Sequence, residues 1–313
     1  MIDILLATYN GEQYLEELLS SVKGQNYRDW RLIARDDGST DHTVKLLKAF
    51  RDALPQGKVL VYENDVPTGS AKANFLKLIA DADSDYVMFC DQDDVWKRDK
   101  IRRTFNAMRE AEKGTEGLPV LVHTDLDIAD ENLTVMGKSF LKHMKLPTEL
   151  SNPERLIQNN VTGCTMMINR PLLDLLKKAV RGGEHIVMHD HFAAIIAGLT
   201  GKVVCLAEPT IFYRQHGINS VGAKSTASDL SVIKDRAKKG REAFQEDLNR
   251  YIEQAKYILY LYRDDIEENQ DKRILRTFSR LDRMSKLQKV RFCKKSGVLK
   301  KGFIKKRMQL IWM

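Results

Sequence analysis

The sequence predicts an α/β fold in which a mostly parallel, doubly wound sheet is flanked by helices and followed by a C-terminal α-helical extension. In the first half, apolar runs of strand length alternate with amphipathic stretches of helical period, which is typical of parallel sheets with crossover helices. After about residue 228 the pattern changes to long, charged amphipathic helices. We therefore place a domain boundary near Ala223, with an α/β domain over residues 1–223 and a helical, basic extension over residues 224–313.

The first four strands are each separated by a helix. Residues 2–7 form a buried strand, and a loop at residues 9–11 leads into a helix over residues 13–22 with one apolar stripe. The second strand, residues 30–34, is stopped by acidic turn residues, and Thr40 or Asp41 is the expected N-cap of the next helix. A third strand, a helix and a fourth strand follow at residues 59–62, 73–80 and 86–90.

The second half is less regular. Strands are predicted at residues 120–124, 161–168, 203–206 and 210–214, and helices at residues 171–180 and 191–199. In the extension, one helical stripe is compatible with either dimerisation or membrane docking; it consists of Tyr251, Ala255, Ile258, Leu259 and Tyr262.

Positive charge is concentrated at the C-terminal end. Eleven lysine and arginine residues and no acidic residue lie from Arg283 onward, so the formal net charge of +8 leaves −3 for the rest of the chain. Apolar residues from Val290 to Trp312 are interspersed among these cations, as in helices that lie on anionic membranes. A solvated basic helix is the alternative. Nucleic-acid binding is not expected, because no aromatic and basic residues interleave on a predicted sheet face.

Cysteine usage and hydropathy indicate an intracellular protein. The four cysteines form no CxxC pair, which favours a reducing compartment over a disulfide scaffold or a zinc site. No leader pattern precedes the first strand, and the longest apolar helical stretch, residues 192–199, is too short to cross a bilayer. We expect a cytoplasmic protein whose membrane contact is peripheral.

The acidic turn Asp91-Gln92-Asp93-Asp94 follows the fourth strand directly. Ligands of parallel sheets bind outside the carboxyl ends of the strands, so this turn is expected at the ligand crevice. Carboxylates are the ligands that hard divalent ions prefer. The turn therefore predicts a Mg²⁺ or Mn²⁺ site on Asp93 that holds a diphosphate.

A second acidic segment, Asp36-Asp37-Gly38-Ser39, follows the second strand. Such turns commonly only cap helices. At a strand end, however, Asp37 could accept a hydrogen bond from the N3–H of uracil or thymine, which cytosine lacks. Tyr9, after the neighbouring strand, offers an aromatic face for the same base. The pair indicates a pyrimidine nucleotide.

No glycine-rich phosphate loop is present: the sequence has neither GxGxxG after the first strand nor GxxxxGK[ST]. This argues against a dehydrogenase and a P-loop enzyme. Lys72 or Arg214 could supply the cation that holds a diphosphate beside the metal.

Further candidates lie on later elements. Asp190, in His189-Asp190-His191, is either a helix N-cap or a general base for an attacking hydroxyl. His216 is either an ordinary surface histidine or a further metal ligand. Trp96 is either a core residue or a platform that stacks on a sugar ring, and its position beside the acidic turn favours the sugar.

Five segments taken in order resemble the inverting glycosyltransferases of family 2, which have the GT-A fold. The segments are ATYNGEQYLEELLSSV, RDDGSTDHT, YVMFCDQDDVW, MHDHF and IFYRQHGINSVG. The resemblance covers roughly residues 1–223. Within that family, DQDDVW and YRQHGINSVG look most like bacterial rhamnosyltransferases that build cell-wall or capsular polysaccharides from dTDP-rhamnose.

The resemblance implies roles for individual residues. It places base binding on Asp37 with Tyr9 and Ala7 beside it, and the DxD motif on Asp91 and Asp93, with ribose or diphosphate contact for the first and metal for the second. The catalytic base falls on Asp190. Diphosphate or metal contact is implied for Arg214 and His216. Relatives have Glu-Asp where this chain has His189-Asp190, and we assign His189 with Trp96 to the sugar or acceptor pocket.

The sequence thus predicts a metal-dependent inverting transferase that moves a sugar, expected to be L-rhamnose from dTDP-L-rhamnose, onto a lipid-linked saccharide. The extension would hold it on the inner face of the membrane, and a homodimer is compatible with the helical stripe. A transferase that uses a UDP-hexose or a UDP-N-acetylhexosamine is an alternative. A catalytically inactive subunit of a polysaccharide assembly complex is an alternative of another class.

Overall fold

The N-terminal half forms the parallel part of the sheet. The computed structural model describes residues 1–215 and 230–313, and of residues 230–238 only the backbone. Four parallel strands pair in the order β3-β2-β1-β4: β1 (Ile2–Thr8), β2 (Trp30–Asp36), β3 (Val59–Glu63) and β4 (Tyr86–Asp91). Ala7 lies opposite both Arg35 and Asp91, so the carboxyl ends of three strands meet at one edge.

Beyond β4 the sheet becomes mixed. The next strand across, β8, runs antiparallel to both β4 and β6, and β9 runs parallel to β6. The strands of this part are β5 (Val95–Trp96), β6 (Val120–Ala129), β7 (Val135–Lys138), β8 (Met166–Asn169) and β9 (Lys202–Arg214). The predicted fold class is confirmed, with the parallel order limited to the first half and to the β6–β9 pair.

Twelve α-helices are described. They are α1 (Glu12–Lys23), α2 (Thr43–Asp52), α3 (Ala71–Asp81), α4 (Lys100–Glu112), α5 (Phe140–His143), α6 (Asn152–Arg155), α7 (Arg170–Ala179), α8 (His189–Thr200), α9 (Leu230–Leu261), α10 (Gln270–Phe278), α11 (Lys286–Ser296) and α12 (Phe303–Trp312).

Several boundaries differ from the sequence prediction, and β6 extends to Ala129 where it was expected to end at residue 124. The strand expected over residues 161–168 is a 3₁₀ turn, Gly163–Thr165, followed by β8. The two short strands after residue 202 form the single strand β9, whose register shifts opposite Thr124–Asp127. Helix α2 begins at Thr43, and Asp41 accepts the Thr43 N–H at 2.9 Å from just outside the helix.

Each face of the sheet has its own core. Alternate residues of a strand point to opposite faces, so Leu5 packs beneath α3, α7 and α8, while Ile4 and Leu6 pack beneath α1, α2 and α4. The predicted stripe of α9 is buried within the chain itself: Ile258 and Tyr262 have no exposed surface and join the first core. The C-terminal helices therefore contribute to the same core as the sheet.

The C-terminal helices also carry exposed apolar side chains. Phe303 and Ile304 are 79 % and 74 % exposed, and Leu287 is similarly open. Within the described residues, no helix has the length and hydropathy needed to span a bilayer.

Candidate active site

Three loops meet at the carboxyl edge of the parallel strands. Asn10 N–H donates to Ser39 Oγ at 2.8 Å, which ties the loop after β1 to the loop after β2. The Gln92 side chain ties the first loop to the acidic turn, because its Oε1 accepts from Tyr9 N–H at 2.8 Å and its Nε2 donates to Tyr9 O at 2.9 Å. Sequence analysis missed this role of Gln92; the only signal was one amide placed among carboxylates.

Tyr9 is held by its backbone while its side chain remains 56 % exposed. Ala7, two residues earlier, lies in β1 between Arg35 and Asp91. The structure therefore places Ala7 and Tyr9 at the same edge as the acidic turn, with the ring of Tyr9 accessible for stacking on a base.

Asp37 is buried and accepts four hydrogen bonds. Asn64 Nδ2 and Thr68 N–H donate to its Oδ1 at 2.7 Å each, and Thr68 Oγ1 and Gly69 N–H donate to its Oδ2 at 2.9 Å. Burial alone would raise the pKa of Asp37, but these hydrogen bonds outweigh it and lower the pKa below its usual value. Asp37 therefore anchors the loop that precedes α3.

The same turn depends on Gly38, whose φ is +85°. A Cβ there would lie 2.6 Å from Pro67 Cγ, so both the backbone and the contact with the neighbouring loop require glycine. Asp36 closes the turn by accepting from Thr8 Oγ1 at 2.9 Å and from Ser39 N–H at 2.7 Å.

The acidic turn is poorly satisfied by comparison. Asp91, Asp94 and Cys164 place a carboxylate or sulfur atom within 4.8 Å of one another. Asp94 has no exposed surface, and within the described chain neither of its carboxylate oxygens has a well-aligned hydrogen bond; the Cys164 thiol and the Arg214 N–H are beside it. Burial, followed by repulsion from Asp93, raises the pKa of both Asp91 and Asp94.

This donor set fits a hard divalent cation. Carboxylate oxygens suit Mg²⁺ and Mn²⁺, and a dication would offset the buried negative charge that raises these pKa values. Cys164 is a poor candidate ligand, because burial raises the pKa of its thiol well above the usual value and thiolates prefer softer metals. The structure thus groups Asp94 with Asp91 at the candidate metal site; Asp93, the predicted metal ligand, lies in the same turn but is not part of this cluster of ligand atoms.

Arg214 lies behind the acidic turn. Its side chain is almost fully buried, its Nε donates to the Asp93 carbonyl at 3.0 Å, and it forms further contacts with Glu131 O and Glu17. Its guanidinium also stacks on the ring of Tyr14 at 4.4 Å. In this structure Arg214 positions the backbone of Asp93, which is a different task from the predicted contact with a diphosphate.

Trp96 and Lys72 also have structural partners. Trp96 is 3 % exposed in β5, with Lys100 Nζ 4.7 Å from its ring centroid, so it offers no face for a sugar and is a core residue. Lys72 donates to the carbonyls of Gly183 and Ile186 at 2.9 and 2.6 Å and thereby ties α3 to the segment before α8. The sequence left Trp96 open between core and sugar platform and favoured the sugar, which is wrong, and it did not predict the structural role of Lys72; both outcomes depend on which elements become neighbours.

Asp190 lies in the first turn of α8, which begins at His189, so it is not the N-cap of that helix. Its carboxylate accepts from His191 N–H at 2.6 Å and also from the Gly163 backbone and the Asn159 side chain. Burial outweighs these hydrogen bonds and raises the pKa of Asp190 to about 6. The charge of Asp190 in turn raises the pKa of Asp91, so the two carboxylates share one site.

His189 packs beneath this site. Its ring stacks on Phe75 and Phe89 at centroid distances of 4.2 and 5.6 Å, and burial lowers its pKa to about 3, so it is neutral. The chain passes close to it at Gly163, where a Cβ would lie 2.7 Å from His189 Nε2. The packing of His189 against these rings therefore fixes the first turn of α8, in which Asp190 lies. His216 lies outside the described residues.

A model of a protein family described as "Glycosyl transferase family 2" matches residues 3–176. Among curated proteins, the dTDP-rhamnosyl transferase RfbG of Shigella flexneri is 29 % identical over 244 residues, which covers 74 % of this chain and 80 % of that protein. The UDP-Glc:alpha-D-GlcNAc-diphosphoundecaprenol beta-1,3-glucosyltransferase WfgD of Escherichia coli is 26 % identical over 175 residues, which covers 56 % of this chain and 62 % of WfgD.

Solved structures share the fold. The S. aureus TarS 1–349 complex with UDP superposes with a TM-score of 0.58 at 19 % identity and covers 91 % of this chain and 73 % of TarS. The mannosyltransferase PcManGT of Pyrobaculum calidifontis, solved with GDP-Man and Mn²⁺, gives a TM-score of 0.53 at 16 % identity, with 95 % of this chain and 72 % of PcManGT covered.

Proposed function

The chain belongs to glycosyltransferase family 2, and we propose that it transfers L-rhamnose from dTDP-L-rhamnose to a lipid-linked saccharide in bacterial surface-polysaccharide synthesis. The observation that carries the activity is the placement of the Asp190 carboxylate beside the acidic turn at the carboxyl edge of β4. The similarity to the rhamnosyl transferase of Shigella flexneri favours rhamnose as the sugar.

In the proposed reaction, Asp190 takes the proton of the acceptor hydroxyl as that oxygen attacks the anomeric carbon. One displacement breaks the bond to the diphosphate and inverts the anomeric configuration. Asp93, with Asp91 and Asp94, would hold a Mg²⁺ or Mn²⁺ ion, and that ion would supply positive charge for the departing diphosphate. Gln92 and Arg214 hold the acidic turn in place through the Tyr9 and Asp93 backbones.

The donor base is proposed to stack on Tyr9 and to approach Asp37. Because the four acceptor positions of the Asp37 carboxylate are filled, an N3–H donor must replace or share one of them. Thr68 and Gly69 belong to the loop before α3, and their hydrogen bonds to Asp37 fix the position of that loop. Binding of the nucleotide donor is therefore expected to shift residues 67–70.

The acceptor is proposed to be linked to a lipid diphosphate at the inner face of the membrane. The relative from Escherichia coli carries a diphosphoundecaprenol acceptor in its name. Of the eleven cations from Arg283 onward, Lys301 alone forms an ion pair within the described residues, with Glu154 at 2.7 Å. This excess of cations over ion pairs and the exposed Phe303 and Ile304 support peripheral association of the extension, residues 224–313, with an anionic membrane.

Calorimetry with dTDP, UDP and GDP, each with Mn²⁺ and with chelator, tests the proposal on the full chain. We expect dTDP to bind most tightly and only with metal. A preference for UDP would replace rhamnose by the sugar of a UDP donor. Absence of binding by all three nucleotides would contradict a donor site at this edge.

A further inference from the structure

A cavity of about 400 Å³ lies between α12, α9 and the segment of residues 146–159. We propose that this cavity, here called the α12 pocket, binds the phosphate and the first apolar units of a lipid-linked acceptor. The inference rests on the proposed function and adds to it the place where the lipid end of the acceptor is held.

The α12 pocket is next to the candidate catalytic base. Asn159 lines the pocket, and its side chain donates to the Asp190 carboxylate. Tyr251 lines the pocket as well, and its ring meets His191, the residue after Asp190, edge-on at a centroid distance of 5.4 Å. Asp190 thus contacts a lining residue of the pocket and also lies near Asp91 of the acidic turn. A donor and an acceptor could therefore meet at its carboxylate.

The polar groups of the pocket suit an anion. Gln158 is 7 % exposed; its Oε1 accepts from Lys301 N–H at 2.7 Å, while its Nε2 has no hydrogen-bond partner within the described residues. A buried donor without an acceptor is costly, and a phosphate oxygen would satisfy it. Lys300 and Lys305 also line the cavity. Asp247 is the acidic neighbour of Lys300, and it is not among the lining residues.

The rest of the lining is apolar. Phe244, Met308 and Trp312 form walls, and Ile304 at the rim is 74 % exposed. A volume of about 400 Å³ lies within the range of small-molecule pockets and is too small for a whole long-chain lipid. The remaining chain would leave past Ile304 and Phe303, the exposed apolar residues of α12. A free sugar phosphate has no apolar chain to contact these walls and the rim, so the lining favours a lipid-linked ligand.

Binding of farnesyl phosphate to the full chain, followed by tryptophan fluorescence, tests the inference. Trp312 lines the pocket, whereas Trp30 and Trp96 are each only 3 % exposed. We expect a saturable change in emission with farnesyl phosphate and none with inorganic phosphate at the same concentration. A response to inorganic phosphate that equals the farnesyl phosphate response would overturn the lipid assignment.

Variants locate the binding. Ile304→Glu changes a side chain that is 74 % exposed, so we expect the variant to fold. It should weaken farnesyl phosphate binding by about tenfold or more, as should Lys300→Glu. Lys306→Glu is the matched control, because Lys306 is an exposed lysine of the same helix outside the lining; we expect its affinity to change less than about twofold. Equal affinity in Ile304→Glu and wild type would place the lipid elsewhere and overturn the inference.

Metal-dependent nucleotide binding on the same preparations separates the two proposals. If dTDP or UDP binds with Mn²⁺ and farnesyl phosphate does not bind, the pocket assignment fails and the transferase proposal stands. If farnesyl phosphate binds in an Ile304-dependent manner and no nucleotide binds, the donor site fails, and the pocket is supported as a lipid phosphate site.

Discussion

Two aspartate-rich turns lie at the carboxyl edge of the sheet, one on each side of the loop after β1, and their carboxylates have opposite surroundings. In the turn after β2, Asp37 accepts four hydrogen bonds and its pKa is lowered. In the turn after β4, Asp94 is fully buried, has no well-aligned donor among the residues that the structure describes, and has a raised pKa. The first turn is satisfied by the protein itself, whereas the second calls for a cation.

The difference shows that a run of aspartates does not by itself indicate a metal site. Both turns follow buried strands and contain adjacent carboxylates. In the second turn, burial and repulsion among the aspartates raise the pKa values. In the first, N–H and O–H donors from neighbouring loops keep the Asp37 carboxylate charged without a metal. The predictions below test this contrast, from the largest expected effect to the smallest.

Asp190 is the carboxylate that should act on the substrate. Asp190→Asn removes the base and keeps the size of the side chain, so turnover should fall by about 10²–10⁴-fold while the donor nucleotide still binds. Measured rates of sugar transfer, with calorimetry of donor binding as control, check this. Full transfer activity in the variant would remove Asp190 from the proposed mechanism.

Asp93→Ala tests the cation expected at the acidic turn. We expect Mn²⁺-dependent donor binding to weaken by more than the roughly 10–100-fold seen when outer-shell partners of a metal are lost, since a direct ligand is removed. Calorimetric titration with Mn²⁺ and nucleotide measures it. The control is Asp52→Ala at the end of α2, an exposed aspartate outside both turns. Unchanged metal affinity in Asp93→Ala would refute the assignment.

Asp37→Asn tests the self-satisfied turn. The amide nitrogen cannot accept, so two of the four donors lose their acceptor, and the free energy of unfolding should drop by about 1–3 kcal/mol. Chemical denaturation measures the loss. Mn²⁺ binding without nucleotide should stay as in wild type. A large loss of Mn²⁺ affinity would show that the two turns are not separate in function.

The pH dependence of stability should have opposite signs for the two turns. The raised pKa values of Asp91, about 7, and Asp94 mean that the folded state binds protons more tightly than the unfolded chain. The resulting stabilisation of the folded state is fully present below the unfolded pKa of about 4. It is lost as the pH rises through the folded pKa values. Asp37, whose pKa is lowered, stabilises the folded state above its unfolded pKa, and this stabilisation is lost as the pH falls through its folded pKa.

Without metal, the melting temperature should therefore fall by a few degrees between pH 5 and pH 8, and Mn²⁺ should restore it at pH 8. Thermal unfolding with chelator and with Mn²⁺ across this range is the measurement. A melting temperature that rises with pH in chelator would show that the acidic turn is not under electrostatic strain.

The strands of the first half were predictable to within two residues at each end, because each is a short apolar run bounded by turn residues. Helix α4 was missed. Its buried face mixes the polar Lys100 and Thr104 with Ile101 and Met108, so it contains few apolar residues that would mark it as a core helix. Likewise, nothing local shows that residues 203–214 form one strand, since β9 is defined by its register against β6.

The sequence by itself determined the α/β class, the acidic turn and the position of Asp190, because each depends on local pattern and short motifs. The tertiary structure alone decided that Trp96 is buried, that Arg214 holds the Asp93 backbone and that Lys72 binds two carbonyls. It also created the α12 pocket beside Asn159. These outcomes depend on contacts between residues far apart in the chain, and burial and hydrogen-bond partners are set by such contacts.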